Sequence, residues 1–201
     1  MKKISFLIVV AIALSLVFFT AAGSAEKKQD KAFTWTMALQ NVKTEDMLPF
    51  TAPVKSATGD RFRLEIDPAE DCYCYVIAEF TSGEDVAVLQ AGPLQGGTTW
   101  LSPVLELSPP SGSESIFVVA SRDEQAALAQ NVIAFVNNSG PTQRRALMNE
   151  VFRLRSEVSQ FKEAPEKPVL MGGAARGGTG KNEGMEFSGM DTYVKAISLE
   201  H

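Results

Sequence analysis

The sequence predicts an antiparallel β-sandwich, immunoglobulin-like in kind, with two amphipathic helices and a returning C-terminal strand. Three observations lead there. Short segments alternate apolar and polar residues with a period of two, and Gly- and Pro-rich turns separate them at short intervals. Only one internal stretch changes to a helical period.

The elements follow in order. "FTWTMALQ" (33–40) sends Phe33, Trp35, Met37 and Leu39 to one face and Thr34, Thr36 and Ala38 to the other. "TEDMLPFTAPVKSATGD" is polar and broken by proline, and reads as loop. "RFRLEID" alternates again, with Phe62, Leu64 and Ile66 inward. "CYCYVIAEF", "DVAVLQ", "TTWLSPVLEL" and "ESIFVVAS" follow as strands, separated by the turns "TSGED", "AGPLQGG" and "SPPSGS".

The period then shifts. Ser121 followed three residues later by Glu124 has the form of a capping box, which starts a helix over about 122–136. Leu128, Val132 and Phe135 form its apolar face. After "NNSGP" a second helix is expected over 142–162, striped by Leu147, Val151, Leu154, Val158 and Phe161. Its apolar spacing covers only two heptads, so packing across a sheet explains it better than a coiled coil. A glycine-rich loop, 172–184, leads to "TYVKAISLEH", a strand with Tyr193, Lys195, Ile197 and Leu199 on one face.

The N-terminus reads as a leader. Lys2 and Lys3 precede an apolar run from Ile4 to Phe19, and "AGSA" presents small residues to a peptidase. Residues 1–25 are the expected signal peptide, with Glu26 as the new N-terminus and 26–201 as one domain. The same uncharged stretch is long enough to stay as an anchor, so contact with a membrane is expected only if it is not cleaved. Cleavage removes two lysines and no acid, and the net charge moves from −5 to −7. An acidic chain is a poor partner for phosphate backbones, so no nucleic acid is expected.

"GGAARGGTGKNEG" tests for a nucleotide. A P-loop would require Gly where Ala175 stands and Ser or Thr where Asn182 stands, between a strand and a helix. The stretch reads as a connector, and no nucleotide or other cofactor is expected.

Other constellations fail in similar ways. His201, at the last position, is the one histidine, which removes internal His-based triads and His-ligated zinc. Cys72 and Cys74 sit two apart on a strand, about 6.5–7 Å between Cα atoms, too far for a disulfide unless the strand bulges. They read as reduced core thiols, and no metal site is expected. Tyr73 and Tyr75 then occupy the opposite face, either as an exposed contact pair or, as we prefer, beneath the helices. "SQFK" (159–162) matches Ser-x-x-Lys but lacks companion motifs. The carboxylates Asp67, Glu70, Asp71, Glu84 and Asp85 lie in turn-like, polar stretches.

The block "GDRFRLEIDPAEDCYCYVIAEFTSGEDVAVL" and the later "SGSESIFVVAS" carry Gly59-Asp60, Tyr73, Tyr75 and Gly112-Ser113-Glu114. Over roughly residues 59–122 the chain resembles the bacterial domain of unknown function 4384. The resemblance implies export and an accessory role, and it transfers no catalytic residue.

The expected function is therefore a non-catalytic binding module of the bacterial cell envelope, in the periplasm or at the cell surface. Its partner would be an envelope protein or surface component, met by the loops holding Gly83, Glu84, Asp85, Gly92, Gly96 and Gly97. The alternatives are an envelope hydrolase using carboxylates or a Ser-Lys pair, and an assembly factor of a surface complex. Calorimetry with magnesium-ATP or magnesium-GTP should show no specific heat of binding. Micromolar affinity that disappears in Lys181→Ala would show instead that the glycine segment is a nucleotide site.

Overall fold

The computed structural model describes residues 33–80, 85–158, 167–170, 183–189 and 191–201. All of them belong to one compact unit, Ala32–His201. The strands are β1 (Phe33–Asn41), β2 (Met47–Leu48), β3 (Val54–Lys55), β4 (Arg61–Pro68), β5 (Cys72–Glu79) and β6 (Val86–Leu94). They continue with β7 (Trp100–Leu101), β8 (Leu105–Glu106) and β9 (Ser113–Ser121). Helices α1 (Ala126–Asn137) and α2 (Pro141–Val158) precede β10 (Lys167–Leu170), β11 (Glu183–Gly189) and β12 (Thr192–Glu200).

Two sheets form. One runs β10-β11-β1-β4-β7, with β2 beside β1 and β8 beside β4; the other runs β3-β12-β9-β5-β6. All pairings are antiparallel except β3 with β12. The expected sandwich is present. Its order does not confirm immunoglobulin-like connectivity, because β5 and β6 remain hairpin partners where that fold sends the third and fourth strands to different sheets.

Alternation places the cores. Phe33, Trp35, Met37 and Leu39 from β1 and Phe62, Leu64 and Ile66 from β4 meet Ile116, Val118, Ile197 and Leu199 between the sheets. Trp35 stacks on Phe33 at 4.8 Å and meets Tyr193 edge-on at 5.1 Å, an aromatic bridge from β1 to β12. Lys195 shares the inner face of β12, and its ammonium lies over Phe187 and Phe50 at 5.6 and 5.9 Å. A cation can run its stem along a core and rest on ring faces in this way.

A second core lies on the far side of the five-stranded sheet. Tyr75, Ile77, Phe117 and Val119 meet Leu128, Val132 and Phe135 of α1 and Leu147, Met148, Val151 and Leu154 of α2. Tyr73 packs at its margin. The tyrosines are thus beneath the helices. The expected stripe of α2 is buried through Leu154, while Phe161 lies outside the described residues.

Several boundaries differ from expectation. Helix α1 begins at Ala126, not at residue 122, and its cap is Gln125 without a side-chain bond. Ser121 is still paired in β9, and its hydroxyl donates to the Asp123 carbonyl at 2.8 Å, so it cannot open a helix. Gln125 instead donates to the Thr192 hydroxyl at 2.9 Å, pinning the corner to β12. "TTWLSPVLEL" is two short strands. Pro103 has no amide to donate to the ladder, and β7 stops before it; next to it the Leu64 amide donates to the Ser102 hydroxyl at 2.9 Å.

The loop before β4 contains β2 and β3, with Phe50 and Val54 turned into the core. "AGPLQGG" was expected to be a turn, but β6 continues through Leu94, with Gly92 opposite Cys74 and Pro93 opposite Tyr73 on an edge strand. The glycine-rich loop ends before Glu183, since Glu183 and Gly184 belong to β11. Residues 172–182, with their P-loop test, lie outside the described residues. Strands β10 and β11 were not anticipated, although Met185 and Phe187 alternate with Glu186 and Ser188 as a half-buried strand should.

Because Leu147 is wholly buried between α2 and the sheet, Leu147→Ala should destabilise the fold by about 2–5 kcal/mol. Ile133→Ala, on the exposed side of α1, should stay within about 0.5 kcal/mol. Urea denaturation of both variants measures the difference.

Candidate functional site

The loops expected to bind a partner do not form one surface. Asp85 stands just before β6 and Gly96 and Gly97 just after it, so the nine residues of that strand separate them by about 25–30 Å. Gly83 and Glu84 lie outside the described residues. Asp85 is exposed, and its carbonyl accepts the Phe80 amide at 3.0 Å. Gly96 donates to Asp71 at 2.8 Å and Gly97 to the Pro68 carbonyl at 2.7 Å, which ties that turn to the β4–β5 connection. A side chain at Gly96 would come within 2.7 Å of the Glu70 backbone, so the glycine is there for close approach. This turn is a packing device, and Gly92 lies within a strand.

The carboxylates divide. Asp71 holds the Gly96 turn, whereas Asp67 reaches a shallow cleft of about 240 Å³ with Thr34, Thr36, Gly97 and Glu186. The register sets Asp67 and Glu186 on either side of Thr36. Glu65, two residues from Asp67 on the same face, has its carboxyl raised above 4.5 by burial and then by the charge of Asp67. The cleft is smaller than the roughly 300–1,000 Å³ of sites that enclose small molecules. Sequence reasoning missed Glu186 because β11 itself was missed.

At one end of the sandwich Gly59-Asp60 and Gly112-Ser113-Glu114 come together, while Tyr73 and Tyr75 lie in the second core. Gly59 turns at φ +91°, a conformation that favours glycine, and its amide donates to the Leu107 carbonyl. The Asp60 carboxylate accepts the Ala57 amide at 2.9 Å. Glu114 is buried, 3.5 Å from Nε2 of a His201 ring that is itself wholly buried, while Nδ1 of that ring is 3.0 Å from the Thr58 hydroxyl. The order Thr58–His201–Glu114 has the outline of a triad. However, the amides of Gly59, Asp60 and Gly112 all donate to carbonyls, so they do not form an oxyanion hole. The cluster fastens the end of β12, where His201 and Gly112 exchange both backbone bonds.

The thiols are free and buried. Burial, and secondarily Asp71, pushes the Cys72 thiol up to about 11, and burial pushes Cys74 further in the same direction. The one bulge of this hairpin falls between Val76 and Ile77, on the register with β6, and not at the cysteines. Both are core residues, as the strand geometry implied.

The helical layer is the remaining candidate, and the sequence reading overlooked it. Ile133 and Val136 on α1 are 60% and 67% exposed, lying off the buried stripe, and Phe152 on α2 is 43% exposed against Phe117. No acidic residue occurs between Glu124 and Glu150, whereas Arg144 and Arg145 lie in the first turns of α2. Among the described residues these two arginines have no side-chain partner, unlike Arg153, which is held by Glu150 and Glu157. Ser159–Lys162, the Ser-x-x-Lys match, lies outside the described residues.

No protein-family model matches the chain, and no curated protein does.

Glu114 supplies a pH test. Burial raises its carboxyl above 4.5, while the His201 ring acts the other way. The folded state therefore holds this proton to higher pH than the unfolded chain does, so the group's contribution to stability falls as pH rises from about 4.5 through the folded value. Glu114→Gln should flatten that fall, read as denaturation midpoints across the acidic range. A variant whose midpoints follow the wild type in parallel would place Glu114 outside the effect.

Proposed function

We propose that this protein is an exported, non-catalytic binding module of the bacterial envelope, and that the α1–α2 hairpin is its contact surface. One observation carries the reading. Ile133 and Val136 project from a helix that has already buried Leu128, Val132 and Phe135, so the fold does not require them to be apolar. Standing three residues apart on one helix and about two-thirds exposed, they form a small apolar patch that a partner can cover.

Export is supported by the basic, apolar and small-residue order of the N-terminus, and a bacterial source by the resemblance around Gly59-Asp60 and Gly112-Ser113-Glu114. The polar clusters described above fasten turns and strand ends. That favours a scaffold presenting a surface over a hydrolase.

A photo-crosslinking residue at Ile133, expressed in the native cell, should capture an envelope component. Adding Val136→Asn should abolish capture while changing the unfolding free energy by less than about 0.5 kcal/mol. Turnover of an envelope substrate by the purified protein, stopped by Asp67→Asn or Glu186→Gln without unfolding, would replace this reading with the hydrolase.

A further inference from the structure

We infer that the partner of the helical hairpin is the surface of an anionic phospholipid bilayer; this rests on the hairpin being the contact surface. The argument starts from the connection between the helices. Only Asn138, Ser139 and Gly140 separate α1 from α2, so the last turns of α1 and the first turns of α2 lie together at one tip. Ile133 and Val136 belong to the last five residues of α1 and Arg144 and Arg145 to the first five of α2, with Asn137, Asn138, Ser139 and Thr142 between them in sequence.

The chemistry of the tip is that of a shallow membrane contact. Two aliphatic knobs can enter a fluid hydrocarbon layer, which needs no complementary hollow. Uncharged amides and hydroxyls suit the headgroup zone, and guanidinium groups pair with phosphate. A protein partner would have to offer a shaped pocket for each knob, and anchors at protein interfaces are enriched in Trp and Tyr, neither of which occurs between residues 126 and 158. A second copy fits poorly, because a two-fold contact through this tip would set Arg144 and Arg145 against their own kind. Charge points the same way. The chain carries a net −5, yet no Asp or Glu falls among the 25 residues from 125 to 149. An anionic surface therefore meets two arginines here, in a stretch of chain that holds no acid of its own.

The test uses the protein as the cell finishes it, whether the leader is kept or removed. Val136→Cys is labelled with a polarity-sensitive fluorophore; Cys72 and Cys74 are buried, with raised thiol pKa values, and stay unlabelled in the folded state. Vesicles of equal parts phosphatidylglycerol and phosphatidylcholine should shift the emission to the blue, and brominated acyl chains should quench it. Phosphatidylcholine alone should do neither. Arg144→Gln with Arg145→Gln should raise the lipid concentration at half-maximal shift about thirtyfold. The label reads the tip itself, so an inserted leader does not produce the signal.

No shift with the anionic vesicles, or an equal shift with both kinds, overturns the inference. If the tip ignores lipid while the crosslinker at Ile133 captures a protein, the binding-module reading stands and the bilayer does not. If neither responds, both fall.

Discussion

The five-stranded sheet is covered on both faces, and most of the architecture follows from that constraint. Its central strands β5 and β9 send alternate residues into different cores: Cys74 and Val76 toward the other sheet, Tyr75 and Ile77 toward the helices. Neither strand can face water, so the helical layer is obligatory. Helix α1 has no side-chain cap, no acid in its first turn and no base in its last, so little holds it intrinsically. Packing of Leu128, Val132 and Phe135 supplies the difference, at about 1.5–3 kcal/mol for each fully buried side chain.

The same constraint explains what could be read from the sequence. Strands β1 and β4 keep a clean period of two because one face is buried and the other is open, and their inward residues were legible one by one. For β5 and β9 the apolar run is nearly continuous, yet the split of Cys72, Cys74 and Val76 from Tyr75 and Ile77 still followed from parity. The stripe of α1, and that of α2 as far as Leu154, were legible for the corresponding reason. Where a local rule competed with tertiary pairing, the reading failed. Ser121 looks like a cap but is held by its strand partners Tyr73 and Thr192, and β6 runs through a Gly-Pro that suggested a turn. Strand β11 was hidden because its glycines resembled the connector before it.

The candidate site was less legible than the fold. Exposed glycine-rich turns drew attention as contacts, yet Gly96 is required by the closeness of Glu70, a reason internal to the fold. The quoted Gly59-Asp60 and Gly112-Ser113-Glu114 have similar duties: a positive-φ turn, a carboxylate on a backbone amide, and a buried carboxyl 3.5 Å from the His201 ring at the end of β12. Such positions hold a scaffold in shape and leave its use open. Ile133 and Val136 have the reverse character. They contribute little to the interior, and only knowledge of which face of α1 is buried separates them from Val132 and Phe135.

Layering also decides how charge acts. Glu65, Asp67 and Glu186 lie on the outward face of the β1–β4–β11 sheet, whereas the helices cover the far side of the other sheet. Sheets pack about 10 Å apart, and a helix adds a similar thickness, so roughly 20 Å of protein separates those acids from the helices' outer surface. At physiological ionic strength the Debye length is about 8 Å, and charges more than two such lengths away are largely screened. Those three acids are therefore largely screened from the hairpin, where Glu150 and Glu157 are taken up by Arg153 and, among the described residues, Arg144 and Arg145 have no side-chain partner.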